Sequence, residues 1–431
     1  MALSARAAIL ALLGVIAVLI VPAAGLSVLG VEAVIVAAIL ADLVLAASPR
    51  GLRLRRNGDT LVRLGETAAV HLIVENPSGR RVSGRLRDAW PPSAGGRPRD
   101  ARVDIPAGER RRLTTTLTPT RRGDRAATVV TLRCFGPLGL AARQASHRVP
   151  WTVRVLPAFE SRRHLPTKLA RLRELDGRQA ARVRGQGTEF DSLREYVDGD
   201  DVRSIDWRAT ARRDSVVVRT WRPERDRRII IVLDTGRTSA GRVGDVTRLD
   251  CAMDAALLLA TVASRAGDRV DMLAFDRRLR ASVEGTSRTR VLPALVQAMA
   301  SLEPELVESD ASAMISAILR RTRRRALVVL LTDLNAPAID EGLLPRLGAL
   351  VGRHLVLVAG VADPRVAEMR AGRGTIEAAY DAAAAERAAG HRRGVTASLR
   401  RHGVEVVDAT PQEIAPAVVD AYLDLKAAGR L

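Results

Sequence analysis

Cysteine, lysine and aromatic residues are scarce in this 431-residue chain, and each scarcity excludes something. Its two cysteines, Cys134 and Cys251, lie far apart and form no CxxC or Cys/His cluster, which argues against a disulfide framework or thiolate metal site and favours a reducing compartment. Aromatics make up 3%, so the core must be packed from Leu, Val, Ile and Ala, which the 47% hydrophobic content supplies. Lysine occurs only at Lys168 and Lys426, so the net charge of +20 is carried by arginine. None of the six histidines falls in an HExxH pattern. There is no Walker-type loop, no G-x-S-x-G, and no G-x-G-x-x-G opening a helix after a strand. These absences leave no convincing catalytic site, and the expectation is a protein that is not an enzyme.

The positive charge is unevenly spread. Residues 50–156 hold 22 Arg and 8 acidic residues, directly after two apolar segments at about 7–24 and 26–47. Each segment is near the roughly 20 residues that span a bilayer. Pro22-Ala-Ala-Gly25 separates them, and the pattern predicts a transmembrane helical hairpin over 1–49; a cleaved signal peptide is the competing reading of the first segment. Glu32 and Asp42 are costly in lipid, so they are expected near an interface or against the partner helix. Arg50, Arg53, Arg55 and Arg56 mark the following flank as cytoplasmic, giving a multi-pass cell-membrane protein with cytoplasmic soluble domains. Such a basic surface would face anionic lipid head groups; nucleic acid is the rival partner, but no binding motif supports it.

Residues 50–156 alternate apolar and polar positions between turn signals such as Asn76-Pro-Ser-Gly79, which predicts a small antiparallel β-sandwich. Residues 157–228 read as an Arg-rich connector. From 229 to 431, strand-like runs at 229–233, 270–275, 326–331, 354–358 and 404–407 alternate with helical patterns, predicting an α/β doubly wound, mostly parallel sheet.

Two stretches carry the functional signal. In the first, Gly187–Arg212, Asp200 and Asp201 follow a turn and Asp206 comes soon after, among Arg194, Arg203 and Arg212. Arg forks match carboxylates through two hydrogen bonds, so this composition predicts an ion-pair network, with Tyr196 and Trp207 walling it off from water. Its plainer reading is a structural clasp; a hydrolase using the Asp cluster is an alternative that lacks a nucleophile. In the second, an apolar strand ends on Asp234 with Thr238 close behind, and a later strand ends on Thr332-Asp333. Strand ends at a switch point form the usual ligand crevice, and carboxylate and hydroxyl oxygens suit Mg²⁺. If Asp234 merely caps a turn, its removal should cost a cap-sized ~1 kcal/mol.

The Asp-x-Gly-x-Thr pattern with a second Asp resembles the metal site of von Willebrand factor type A domains. That resemblance implies Asp234, Thr238 and Asp333 as ligands, with Ser309 or Asp310 replacing a Thr of the family pattern, while Gly236 removes one hydroxyl. The motifs Gly-Thr-Glu-Phe-Asp-Ser-Leu-Arg-Glu-Tyr196, Gly199-Asp-Asp-Val-Arg-Ser-Ile-Asp-Trp207, Thr120-Arg-Arg-Gly123, Phe135-Gly-Pro-Leu-Gly-Leu140 and the terminal Tyr422–Leu431 resemble the bacterial family catalogued as DUF fifty-eight. Members are often associated with MoxR-type AAA+ ATPases. The resemblance therefore implies a membrane-anchored adaptor that binds a protein partner in the assembly or activation of other proteins. A structural membrane-associated protein without a ligand site is the alternative.

Overall fold

Seven consecutive residues, Arg228–Asp234, form the strand on which the larger sheet is built, and all but the first are buried. A computed structural model describes residues 2–20, 25–182, 189–212, 215–222, 227–285 and 289–431. The chain divides into two compact units, Met1–Leu156 and Pro157–Leu431.

The first unit begins with helices α1 (Ala5–Ile20) and α2 (Leu26–Leu45). Among the described residues one helix is long and apolar enough to cross a membrane, that of Val28–Gly51. At 16 residues α1 is about 24 Å long, short of a ~30 Å hydrocarbon core. Gly14 brings the two helices together, since a Cβ there would lie 2.8 Å from side-chain atoms of Val31 and Ile35. Of the two acidic residues in α2, Glu32 is exposed and Asp42 is fully buried. The Asp42 carboxylate accepts backbone N–H groups of Leu138, Leu140 and Ala141, at 2.8, 2.7 and 2.8 Å. The helix is thereby tied to the Gly136–Leu140 turn, where any side chain at Gly136 would collide with Asp42.

That turn joins β6 (Gly123–Phe135) to β7 (Ala141–Leu156). Together with β3 (Val82–Asp88) and β4 (Asp100–Ile105) they form a sheet in the order β7-β6-β3-β4, to which the short strands Ala2–Leu3 and Leu61–Arg63 add along β7. A second sheet holds β1 (Arg53–Gly58), β2 (Ala68–Glu75) and β5 (Arg110–Leu117). In β2 burial alternates strictly, with Leu72 and Val74 facing Val82, Leu86, Val130 and Leu132 of the other sheet. The period-two pattern thus produces two facing sheets, with a second apolar cluster around Val62, Val70, Leu117 and Val155.

In the second unit, α3 (Leu165–Arg182) is joined to the C-terminal helix by Lys168 and Arg171, which both pair with Asp420. A hairpin of β8 (Glu189–Glu195) and β9 (Val217–Arg222) follows. The main sheet comprises β10 (Arg228–Asp234), β11 (Arg269–Phe275), β12 (Leu279–Val283), β13 (Leu327–Leu331), β14 (Leu355–Val361) and β15 (Glu405–Ala409), in the order β12-β11-β10-β13-β14-β15. Every pairing is parallel except that of the edge strand β12.

Both faces of the central strands are apolar because both are covered. Ile230, Val232, Val328 and Val356 pack under α6 (Ala311–Arg321), α7 (Leu344–Val351) and α8 (Ile376–Arg401). On the other side lie α4 (Arg248–Arg265), against which α5 (Val291–Ala300) packs, and α9 (Ile414–Ala427), which also contacts α4 extensively. A fully buried polar contact secures α9, where Tyr422 Oη donates to Asp268 at 2.6 Å beside the Lys426 ammonium.

Candidate functional site: the crevice at the sheet switch point

The strands run parallel, but the order in which they are added reverses between β10 and β13, so the connections after these two strands lead to opposite faces and leave a crevice between their carboxyl ends. Asp234 ends β10 inside it and is 7% exposed. Its Oδ1 accepts the Gly236 N–H at 2.8 Å and the Ser309 hydroxyl at 2.5 Å. Its Oδ2 accepts the hydroxyls of Thr238 at 3.0 Å and Thr332 at 2.7 Å. One carboxylate is therefore ringed by three hydroxyls and an amide.

The loop carrying Ser309 is held over the strand ends by main-chain bonds: Arg237 N–H to Val307 O, Glu305 N–H to Thr235 O, and Asp310 N–H to Asp276 O. Gly236 allows this approach. A Cβ at 236 would lie 2.3 Å from Ser309 Oγ, so the hydroxyl that a serine at 236 would bring is supplied instead from the neighbouring loop.

Thr238 and Ser309 both meet the Asp234 carboxylate. Asp333 stands apart: its Oδ1 accepts from Arg392 Nη1 at 2.7 Å and lies 3.6 Å from Arg248 Nε. Arg392 also grips Asp408, and these two carboxylates hold its guanidinium charged despite its burial. Asp310 is likewise not aimed at Asp234; it caps α6 by accepting the Ala313 N–H at 2.9 Å. Sequence reasoning missed Thr332, one residue before the aspartate it selected. It also missed Asp276 at the end of β11, which accepts the Thr235 hydroxyl at 3.0 Å and pairs with Arg280. Burial opposes ionisation of Asp276, but hydrogen bonds from the Arg278 N–H, Arg280 and Thr235 prevail and hold its carboxyl below the ordinary range.

The donor set tests a cation directly. One carboxylate and three hydroxyls are all oxygen ligands, as Mg²⁺ prefers, but with Asp333 held by two guanidiniums a single protein charge remains for it. From Asp234 the crevice widens into a cavity of about 390 Å³ whose lining is mixed, with Met314, Pro337, Ile339 and Leu343 beside Glu341. Arg237 and Glu308 form an ion pair on its lining. Among the described residues lining it there is no thiol or imidazole.

The Gly187–Arg212 stretch lies elsewhere in this unit, and Gly187 and Thr188 fall outside the described residues. Arg194 grips Asp200 through both terminal nitrogens and holds its carboxyl below the usual range, with help from the Val197 N–H. Asp201 accepts the Arg203 N–H at 3.0 Å. Asp206 caps the turn Trp207–Thr210, and the Ala209 N–H and Arg219 keep it ionised. The network expected to be walled off is instead open. Trp207 is 67% exposed, Tyr196 is half-buried, and Arg203 and Arg212 are exposed. Asp206 satisfies its acceptors with local backbone and Arg219, and this turn needs no aromatic cover.

Residues 192–402 match the family described as "Protein of unknown function DUF58". Uncharacterized proteins of Mycobacterium tuberculosis (strain ATCC 25618 / H37Rv) and Mycobacterium bovis (strain ATCC BAA-935 / AF2122/97) are each 28% identical over 197 residues, 45% of this chain and 61% of theirs. The chain thus spans less than two thirds of the length of these curated relatives. Among solved structures, a CARDB domain from Pyrococcus furiosus is 20% identical over 24% of this chain and 91% of its own, with a TM-score of 0.19, too low to establish a common fold.

Proposed function

We propose that this protein is a membrane-anchored, non-enzymatic adaptor whose α/β unit binds a protein partner in the sheet-end crevice. The observation that carries the reading is the crevice itself, in which one buried carboxylate ringed by hydroxyls opens into a cavity of about 390 Å³, part apolar and part charged, large enough for a partner's side chain. Rigid strands position the polar end and loops form the rim, an arrangement suited to binding. The strand order with its antiparallel edge, and the Asp-x-Gly-x-Thr on the central strand, support a von Willebrand factor type A-like unit. On the family resemblance, the partner is a MoxR-type AAA+ ATPase.

Asp234, Thr238, Ser309 and Thr332 are the residues that would hold Mg²⁺, and a bound ion would supply positive charge attractive to a partner's carboxylate. With one protein charge, binding is weak and mostly hydrated. Calorimetric titration of the full chain with Mg²⁺ and Mn²⁺ tests this; no heat at millimolar metal, with partner binding indifferent to chelator, removes the metal and leaves the crevice. In the proposed topology α1 and α2 form the anchor and both soluble units face the cytoplasm. Reporter fusions at residue 60 and at the C-terminus should both report cytoplasm, and a periplasmic signal from either contradicts it. The adaptor itself is tested by purifying the tagged full chain from detergent extract; an AAA+ ATPase should co-purify, and repeated failure to enrich one counts against the proposal.

A further inference from the structure

The outer face of the β4-β3-β6-β7 sheet carries an arrangement that folding alone disfavours. In register, Arg102 of β4 lies opposite Arg85 of β3, and Arg85 lies opposite Arg133 of β6. Three exposed guanidinium side chains thus occupy one row, on strands about 4.8 Å apart. Like charges directly opposite one another destabilise a sheet. Among the described residues, the hydrogen bond recorded within this row runs from Arg133 Nε to Gln144 Oε1 at 2.7 Å, a neutral acceptor that leaves the repulsion in place. The flanking rows hold Arg87, Thr131 and Ser146 with Asp100 on one side, and Ser83 with Asp104, which is paired with Arg81, on the other.

The row has a fixed place relative to the apolar helix. Arg133 lies three residues before Gly136, about 10 Å along the strand, and Gly136 abuts Asp42 in the last turn of α2. The Asp42 carboxylate and the pairing of Ala2–Leu3 with Ala141 and Ala142 hold that turn to the helix ends. With α2 inserted, a row of arginines about one Debye length from its end is within electrostatic reach of phospholipid phosphates.

We propose that the Arg102–Arg85–Arg133 row is a headgroup site for an anionic phospholipid of the leaflet from which α2 emerges. Lipid phosphate between the guanidiniums relieves their repulsion and sets the tilt of the first unit on the membrane. The proposal rests on α2 being membrane-inserted, which is tested separately by whether alkaline carbonate leaves the full chain in native membranes.

The site is tested on the full chain in neutral detergent by thermal melting against dioctanoyl-phosphatidylglycerol, dioctanoyl-phosphatidylcholine and inorganic phosphate. Phosphatidylglycerol should raise the melting temperature while the other two do not, and 500 mM salt should weaken the effect. In the variant R85Q/R102Q/R133Q the phosphatidylglycerol concentration for half-maximal shift should rise about a hundredfold, at roughly fivefold per arginine near an anionic surface. R97Q/R99Q/R121Q, which removes the same charge away from the Gly136 turn, should change it less than tenfold. Without lipid, the row variant should melt no lower than the native chain, because repulsion has been removed. Any of four results overturns the proposal: equal shifts from phosphatidylcholine, a full shift from inorganic phosphate, equal losses in the two variants, or a row variant that melts lower without lipid.

Discussion

Replacing Asp234 by alanine should destabilise the second unit by about 3 kcal/mol. Removing this carboxylate ends four hydrogen bonds, and bonds to a charged group contribute roughly 1.5–3 kcal/mol each while both partners stay in place. Not all of that is lost. The Thr238, Ser309 and Thr332 hydroxyls line the open cavity and can turn to water, whereas the Gly236 N–H is buried and is left without an acceptor. Asp234→Asn keeps one acceptor oxygen and presents its amide to hydroxyls that can reverse and accept, so it should cost only about 1 kcal/mol. For a unit the size of Pro157–Leu431, 3 kcal/mol corresponds to a fall in melting temperature of roughly 5 °C. Pulsed hydrogen exchange of the full chain in rising urea, read at β10 and β13 amides, reports this unit separately from the β-sandwich. A loss of 1 kcal/mol or less for alanine, equal to that for asparagine, would show that Asp234 is an ordinary turn cap and would refute the claim that its four hydrogen bonds hold the loops together.

Gly236→Ala should destabilise by about 1–3 kcal/mol through overlap with Ser309 Oγ and the Val307 carbonyl, and Ser309→Ala in the same chain should recover the part due to the hydroxyl; independent, additive losses in the urea midpoint would contradict the shared-space account. His354 is buried with neither ring nitrogen hydrogen-bonded among the described residues, and burial, with Arg353, holds its pKa below the ordinary 6.5. The folded state therefore binds fewer protons there than the unfolded one. Its contribution is complete above about pH 6.5 and is lost as pH falls, by at most ~1.4 kcal/mol per pH unit, and His354→Leu should flatten that acid slope in urea titrations. Asp42→Ala should loosen the Gly136–Leu140 turn, seen as faster exchange of the Leu138, Leu140 and Ala141 amides; unchanged exchange rates would show that the carboxylate does not hold them.

The sheet was legible because its strands are buried on both sides and so appear as unbroken apolar runs, with Ile229–Leu233 and Leu327–Leu331 the clearest. The edge strand β12 was not, since Leu279-Arg-Ala-Ser-Val283 is short and half polar and takes its conformation from pairing with β11. At the crevice, local spacing was enough to place Asp234 and Thr238, which share one turn. Asp333 was misassigned because its partner Arg392 lies 59 residues away on α8, and no periodicity reveals which of two adjacent polar residues turns toward the crevice. Trp207 was read as a wall because aromatic residues beside charges are commonly buried. Local capping by Asp206 satisfied the turn and left the ring in solvent.

The central claim, that the crevice receives a protein partner, is tested most directly by a photo-crosslinking amino acid at Arg237 in the full chain, irradiated in native membranes. The account predicts a crosslink to an AAA+ ATPase identified by mass spectrometry, lost when Asp234→Asn is added and absent when the probe is placed at Arg401, at the end of α8 outside the crevice. Crosslinking of that ATPase in equal yield from both positions, or from neither, would contradict it.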